Sequence, residues 1–346
     1  MQAASIKMNN IFTDTLNGKK CSRPPVWLMR QAGRILPRYM KMREKYSFEQ
    51  LFTTPELAAE VTLLPVEDLG VDAAILFSDI LTVPKAMGLD MDWTQKGPVF
   101  NSPLVFESDP IKKLDVKTES LSYVYQAARK VKQMSNIPLI GFCGGPLTVL
   151  CYMLEGVSSN QTFPLSKTFF YQQTSKAKQL IDLLTEVSIE YAVKQAECGI
   201  DAFQLFESNA GIVPLEMYEK LFLPAVTKIG KAVRAKGIPF IFFGKGISGG
   251  VNIVKPETCD FYSADWQMPL SVVRKNLDKE IGLQGNFDPW LLFAPKDVIE
   301  KAVINMKPFF KENPKWIANL GHGVLANTPL ENVKFLISRI KETIWE

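Results

Sequence analysis

The sequence predicts an α/β fold, a single (β/α)8 TIM-type barrel over residues 1–346 with its active site at the carboxyl ends of the strands. Three observations lead there. Eight short apolar runs recur along the chain without strict polar alternation, as expected for strands buried on both faces of a parallel sheet. Amphipathic segments with helical spacing lie between the runs. A chain of 346 residues is long enough for two domains, yet α/β barrels often occupy this length as one unit. A doubly wound open sheet is the rival, and the count of eight favours closure.

An N-terminal extension covers about residues 1–24. The first run, "PVWLMRQ" (25–31), leads into "PRYMKMR", a short helix behind Pro37. "PELAAEVTLLPVEDLG" reads as a helix with Pro55 in its first turn and Gly70 at its end. "AAILFSD" (73–79) is the second strand. The stretch of about 90–120, rich in Pro, Gly and Asn, is a loop insertion on the side where long loops shape barrel sites. The helix "SLSYVYQAARKVKQM", the strand "PLIGFCG" (138–144) and a long helical stretch over 166–199 follow. After "DAFQLFES" (201–208) comes the helical "PLEMYEKLFLPAVTKIGKAVRAKG", which Pro224 should kink or split. The remaining strands are "PFIFFGK" (239–245), "FYSADW" (261–266), "IGLQGN" (281–286) and "WIANLGH" (316–322), with helices in "PKDVIEKAVINMKPFF" and "PLENVKFLISRIKETIW".

Composition narrows the function. The chain is 47% hydrophobic and 22% charged, an ordinary globular balance. A net charge of +4, with no basic stripe interleaved with aromatics, does not point to nucleic acid. Apolar runs are far shorter than the ~18 residues of a membrane span, and the N-terminus has no signal-like apolar region. Five scattered cysteines without a C-x-x-C pair suggest a reducing compartment, and the expected location is cytoplasmic. With His322 as the single histidine, no His₂ or His₃ metal site forms within one subunit, and no metal ligand is assigned.

The strand ends carry the chemistry. Five of the nine arginines lie between Arg23 and Arg43, although lysine is preferred elsewhere. Arg30 ends the first run, Gly33 permits a sharp turn, and Arg34 follows in the loop. Guanidinium grips carboxylate or phosphate with a two-pronged fork, so Arg30 and Arg34 at one mouth imply a polyanionic small molecule. Arg38 reads as a solvated surface group. Asp79 follows five apolar residues and is either a helix cap or a buried functional group. Beside an anion site, it hints at a ligand with acids outside and N–H donors inside. Gly144 and Gly145 open a helix whose N–H groups face an anion or simply pack closely. Tyr152 lies one and a half turns into that helix, where it reaches the mouth or serves the core. Ser208 ends the fourth run. His322 sits between two glycines that leave access for a ligand.

"PVWLMRQAGRILPRY", "FSDIL", "GFCGGPLTVLCYMLEG", "LFESNAG", "LQGNFDP" and "NLGHG" together resemble the uroporphyrinogen decarboxylase family, from about Pro25 to Gly323. The resemblance implies a carboxy-lyase that removes CO2 from four acetate arms of uroporphyrinogen III, giving coproporphyrinogen III without metal or organic cofactor. It implies a homodimer. Carried over residue by residue, it assigns Arg30, Arg34 and Arg43 to substrate carboxylates and Asp79 to the pyrrole N–H groups. Tyr152, Ser208 and His322 complete the polar contacts, and Phe142 and Phe206 are apolar neighbours. Asp79 and Arg30 are the catalytic candidates. Asn209 stands where the family often has His or Trp, and "FFGKGISGG" is a variable stretch, so Lys245 receives no role. Two other readings remain in view. One is a zinc-dependent methyltransferase of the same superfamily, for which only Cys143 ends a strand. The other is a tetrapyrrole carrier without turnover.

Overall fold

The computed structural model describes residues 11–94, 97–156 and 162–345. Seven parallel strands form one curled sheet: β1 (Ala74–Ile75), β4 (Leu139–Gly144), β5 (Ala202–Glu207), β6 (Phe240–Gly244), β7 (Phe261–Ser263), β8 (Gly282–Gln284) and β9 (Trp316–Ile317), adjacent in that order. Between β1 and β4 the chain adds an antiparallel hairpin, β2 (Met91–Thr94) and β3 (Gly97–Phe100). It belongs to the insertion expected at about 90–120, whose internal pairing the sequence did not reveal. Every sheet residue of β4, β5 and β6 is buried, as two-sided burial requires.

Seven of the eight predicted strands are present. The first, over 25–31, is not a regular strand: Val26 makes one parallel bridge to Ala318. The cause is local. The Val26 N–H donates to the Asp72 carboxylate (2.8 Å), Leu28 N–H to Gln31 Oε1 (2.9 Å) and Met29 N–H to Asn319 Oδ1 (3.1 Å). Side chains thus take amides that a ladder would pair. The segment still lies between β9 and β1, since Ala318 N–H donates to the Pro25 carbonyl (2.9 Å) and Asp72 N–H to the Val26 carbonyl (2.8 Å).

The helices follow their signals. Pro55–Leu69 ends at Gly70, whose φ of 71° is the left-handed cap that glycine supplies without steric cost. Pro224 splits its segment as expected. A π-helical turn, Tyr218–Phe222, precedes a new helix, Leu223–Arg234, that holds Pro224 in its first turn. The long helical stretch divides at Gln173 into Pro164–Gln172 and Thr174–Ala196. Helix and sheet side chains meet in one continuous apolar core.

Candidate active site

Alternation along the strands decides which side chains face the inside of the curled sheet. On β5, Gln204 and Phe206 point inward, while Glu207 points to the helix layer. Gln204 belongs to a buried polar layer. The Trp27 indole donates to Gln284 Oε1 (3.0 Å), and Gln284 donates to Gln204 Oε1 (3.0 Å) and Ser263 Oγ (2.9 Å). One step towards the carboxyl ends, the Phe206 ring meets Phe142 edge-on at 5.6 Å and Phe243 at 6.1 Å. Phe243 in turn meets His322 at 6.3 Å. The expected Phe142 and Phe206 therefore form an apolar floor that continues to His322.

Arg30 is held above it in an unusual way. Its φ is 62°, in the left-handed region that a residue with a Cβ enters at a cost of about 1–2 kcal/mol. Strain of this kind concentrates at functional sites. Gly323 explains how the side chain fits: a Cβ there would stand 2.7 Å from Arg30 Cγ and 3.0 Å from Nε. The guanidinium makes no hydrogen bond or ion pair among the described residues, and neither does that of Arg34. Arg30 is nevertheless close enough to Asp79, Tyr152, Lys245 and His322 to bias the charge of each.

Asp79 is half-buried, and its side chain caps a turn rather than a helix. Its Oδ1 accepts the Leu81 N–H at 2.8 Å, a turn-capping bond. Burial raises its carboxyl above the usual range, while the Leu81 N–H, the Trp93 indole and Arg30 favour the anion. Trp93 comes from β2, and its buried indole N–H lies near this carboxylate without a hydrogen bond to it. Tyr152 is half-buried on the helix Pro146–Glu155, its ring edge-on to Phe163 at 5.2 Å. Burial, then the Asp79 charge, raise its phenol.

The helix that carries Tyr152 does receive an anion at its N-terminus, but an internal one. Glu207, fully buried, accepts from the Leu147 N–H (3.0 Å) and the Thr148 N–H (2.6 Å). A Cβ at Gly145 would stand 2.6 Å from the carboxylate carbon, which accounts for that glycine. Both alternatives for Gly144–Gly145 therefore meet here: the helix N–H groups face an anion, and Gly145 packs closely against it. Burial pushes Glu207 up to about 7 against these donors. Its neighbour Ser208 is half-buried just beyond β5, and the Thr148 hydroxyl accepts the Asn209 N–H (3.0 Å). Glu207 and Thr148 together lock the two elements that present Tyr152 and Ser208.

His322 is half-buried between the Phe243 and Trp266 rings, the latter at 6.0 Å. Its Nδ1 accepts the Gly323 N–H (2.6 Å), which assigns the ring proton to Nε2. Burial, Arg30 and Lys245 lower its pKa to about 3, so it is a neutral donor at physiological pH. The flanking glycines do not open ligand access as expected. Gly321 lies against the Trp266 backbone and Gly323 against the Arg30 stem.

The arginine cluster separates by partner. Arg23 forms a buried fork with Asp72 (2.7 and 2.8 Å) and is structural. Arg38 pairs on the surface with Glu67 and Asp68, as its surface reading requires. Arg43 donates to the Tyr46 carbonyl (2.8 Å), and both it and Arg34 lie close enough to Tyr39 to influence its phenol. Two side chains escaped sequence reasoning. Trp93 lay in an insertion without a pattern. Lys245 ends an apolar run, which is a usable signal, within a stretch of variable sequence. Cys143, the strand-end cysteine, is fully buried, and burial raises its thiol, which disfavours a thiolate ligand there.

Residues 7–343 match the family model described as Uroporphyrinogen decarboxylase (URO-D). The uroporphyrinogen decarboxylase of Trichlorobacter lovleyi is 42% identical over 337 residues, covering 95% of this chain and 97% of that protein. The one from Francisella philomiragia is 36% identical over 342 residues, covering 97% and 99%. Among solved structures, a methyltransferase from Methanosarcina mazei superposes with a TM-score of 0.77 at 20% identity, over 96% of this chain and 97% of its own. A B12-independent methionine synthase from Shewanella gives 0.55 at 10% identity, over 93% and 96%. At those identities the two structures bear on the fold alone.

Proposed function

The chain belongs to the uroporphyrinogen decarboxylase family, and from that premise we propose that the cleft above Phe142 and Phe206 converts the four acetate arms of uroporphyrinogen III to methyl groups. The observation that supports this reading is the exposed Arg30 guanidinium, without a hydrogen bond or ion pair among the described residues and close enough to the half-buried Asp79 carboxylate to favour its charge, with the exposed and equally unpaired Arg34 four residues on. A ligand with carboxylates at its rim and N–H donors at its centre matches that charge pattern.

Each turn of the reaction exchanges a carboxylate for a proton. Loss of CO2 leaves electrons that need a sink, which many enzymes supply with a cofactor. A pyrrole serves when a ring carbon is protonated. The cationic ring takes the electrons as CO2 departs, the new methylene then takes up a proton, and the ring carbon gives its own proton back, so one proton is consumed for each CO2 released. Arg30, Arg34 and Arg43 orient the carboxylates. Asp79 accepts the pyrrole N–H groups and stabilises the ring cation, a preorganised charge aimed at the transition state. Neutral His322, through Nε2–H, together with Tyr152 and Ser208, completes the polar contacts to the arms. Anaerobic incubation with enzymatically made uroporphyrinogen tests the reading. Stepwise loss of four carboxyls is expected, while tight binding without CO2 release would identify a carrier instead.

The architecture is a closed eight-stranded barrel in one domain, with residues 25–28 as its degenerate first strand. The Val26–Ala318 bridge, the Asp72-to-Val26 bond and the single apolar core support this. The working form is a cytoplasmic homodimer. The family resemblance supports the dimer, and five unpaired cysteines support a reducing compartment. Light scattering giving twice the 38.9 kDa chain mass is the check on the dimer. Among the described residues, no helix is long and apolar enough to cross a membrane.

A further inference from the structure

Lys245 lies just past β6, half-buried, with its Nζ 5.9 Å from the centre of the Trp266 ring. Its backbone is pinned on both sides. The Lys245 N–H donates to the Glu207 carbonyl (3.1 Å), and its own carbonyl accepts the Gly211 N–H (2.9 Å). The following turn is fixed because Gly246 and Gly211 touch backbone to backbone: a Cβ on Gly211 would stand 2.8 Å from Gly246 Cα. The loop therefore holds the ammonium in place.

The ammonium has no hydrogen bond or ion pair among the described residues. The carboxylate that most influences it, Asp265, is already engaged. It accepts the Gly246 N–H (2.6 Å), the Gln267 N–H (2.9 Å) and the Ser248 hydroxyl (3.3 Å). The Trp266 ring that Lys245 lies over also meets His322 at 6.0 Å, which places the ammonium beside that residue, and Arg30 is within electrostatic reach of both. A half-buried cation with no anion in direct contact, near a second unpartnered cation, is costly unless an anion arrives. Burial lowers its pKa, partly offset by Asp265, and Arg30 lowers it further.

We infer that Lys245 is a substrate-positioning residue, its ammonium taking one carboxylate of the tetrapyrrole on the β6 side of the cleft while Arg30 and Arg34 take others. The inference rests on the decarboxylase reading above. Lysine acts here as a point charge, and Trp266 backs its stem.

Steady-state kinetics with uroporphyrinogen on wild type, Lys245→Met and Lys245→Arg tests it, with melting curves on all three. Methionine keeps the stem and removes the charge. The expected result is KM raised about tenfold or more for Lys245→Met, the scale of a lost charge-assisted contact. Melting should be unchanged, and Lys245→Arg should recover most of the affinity. Wild-type KM in Lys245→Met, beside an active wild type, would overturn the assignment alone. A KM equally raised in both variants would mark a packing role and also overturn it. Absence of CO2 release from the wild-type enzyme would instead refute the decarboxylase reading, which separates the two failures.

Discussion

Replacing Gly323 by alanine should cripple the enzyme without unfolding it. The new Cβ would stand 2.7 Å from Arg30 Cγ and 3.0 Å from Nε, where ordinary contacts are about 3.5–4.0 Å. Relief requires the arginine stem to move by about 1 Å. The backbone cannot easily follow, because Arg30 already sits in the left-handed region at φ 62°. A misplacement of about 1 Å in a positioning group costs about 100-fold in rate, or about 2.7 kcal/mol of transition-state stabilisation. Stability should shift by less than about 1 kcal/mol, since Gly323 has no left-handed φ and the group that yields is a flexible side chain. The assay is initial-rate decarboxylation of uroporphyrinogen, with a melting curve on the same preparation. In an Arg30→Ala background, Gly323→Ala should cause no further loss, because its whole effect passes through that side chain. A kcat/KM within twofold of wild type, or full additivity with Arg30→Ala, would refute the reasoning.

Two further outcomes follow from the same contacts. Arg34→Ala should raise KM for the octacarboxylate about tenfold, whereas Arg38→Ala, which loses only exposed ion pairs, should leave both kinetics and melting near wild type; parallel kinetics on the two variants decide it. Glu207, raised to about 7 from an ordinary 4.5, binds its proton more tightly folded than unfolded. Its contribution to stability is therefore complete below about pH 4.5 and is lost as pH rises through 7, a change on the order of 3 kcal/mol. Glu207→Gln should remove that slope in denaturant titrations at pH 5 and 8, and an unchanged slope would reject the assignment.

The fold was legible where burial wrote it into residue type. Runs such as "PFIFF" are buried on both faces and show it. The first strand was misread because its pairing is made by side chains: Asp72, Gln31 and Asn319 claim its amides from 46, 3 and 290 residues away. No local pattern can show that. The same holds within the site. Arg30 and Arg34 stood out by chemistry and position, and Arg38 was separated correctly. Arg23 was not given a role, since its partner Asp72 is distant in sequence. The glycines of "GFCGGP" and "NLGHG" were seen to matter, but what they accommodate, a carboxylate of the protein's own and an arginine stem, exists only in three dimensions.

Asp79 is proposed to stabilise the transition state at the centre of the cleft. Single-turnover measurement of Asp79→Asn with uroporphyrinogen, recording binding and CO2 release separately, tests this most directly. Asparagine keeps an oxygen for the Leu81 N–H and for pyrrole donors but lacks the charge. Binding should weaken by less than about tenfold, and CO2 release should slow by at least about 100–1,000-fold, the scale of losing one preorganised electrostatic group. Release at the wild-type rate from a normally folded Asp79→Asn enzyme would contradict it.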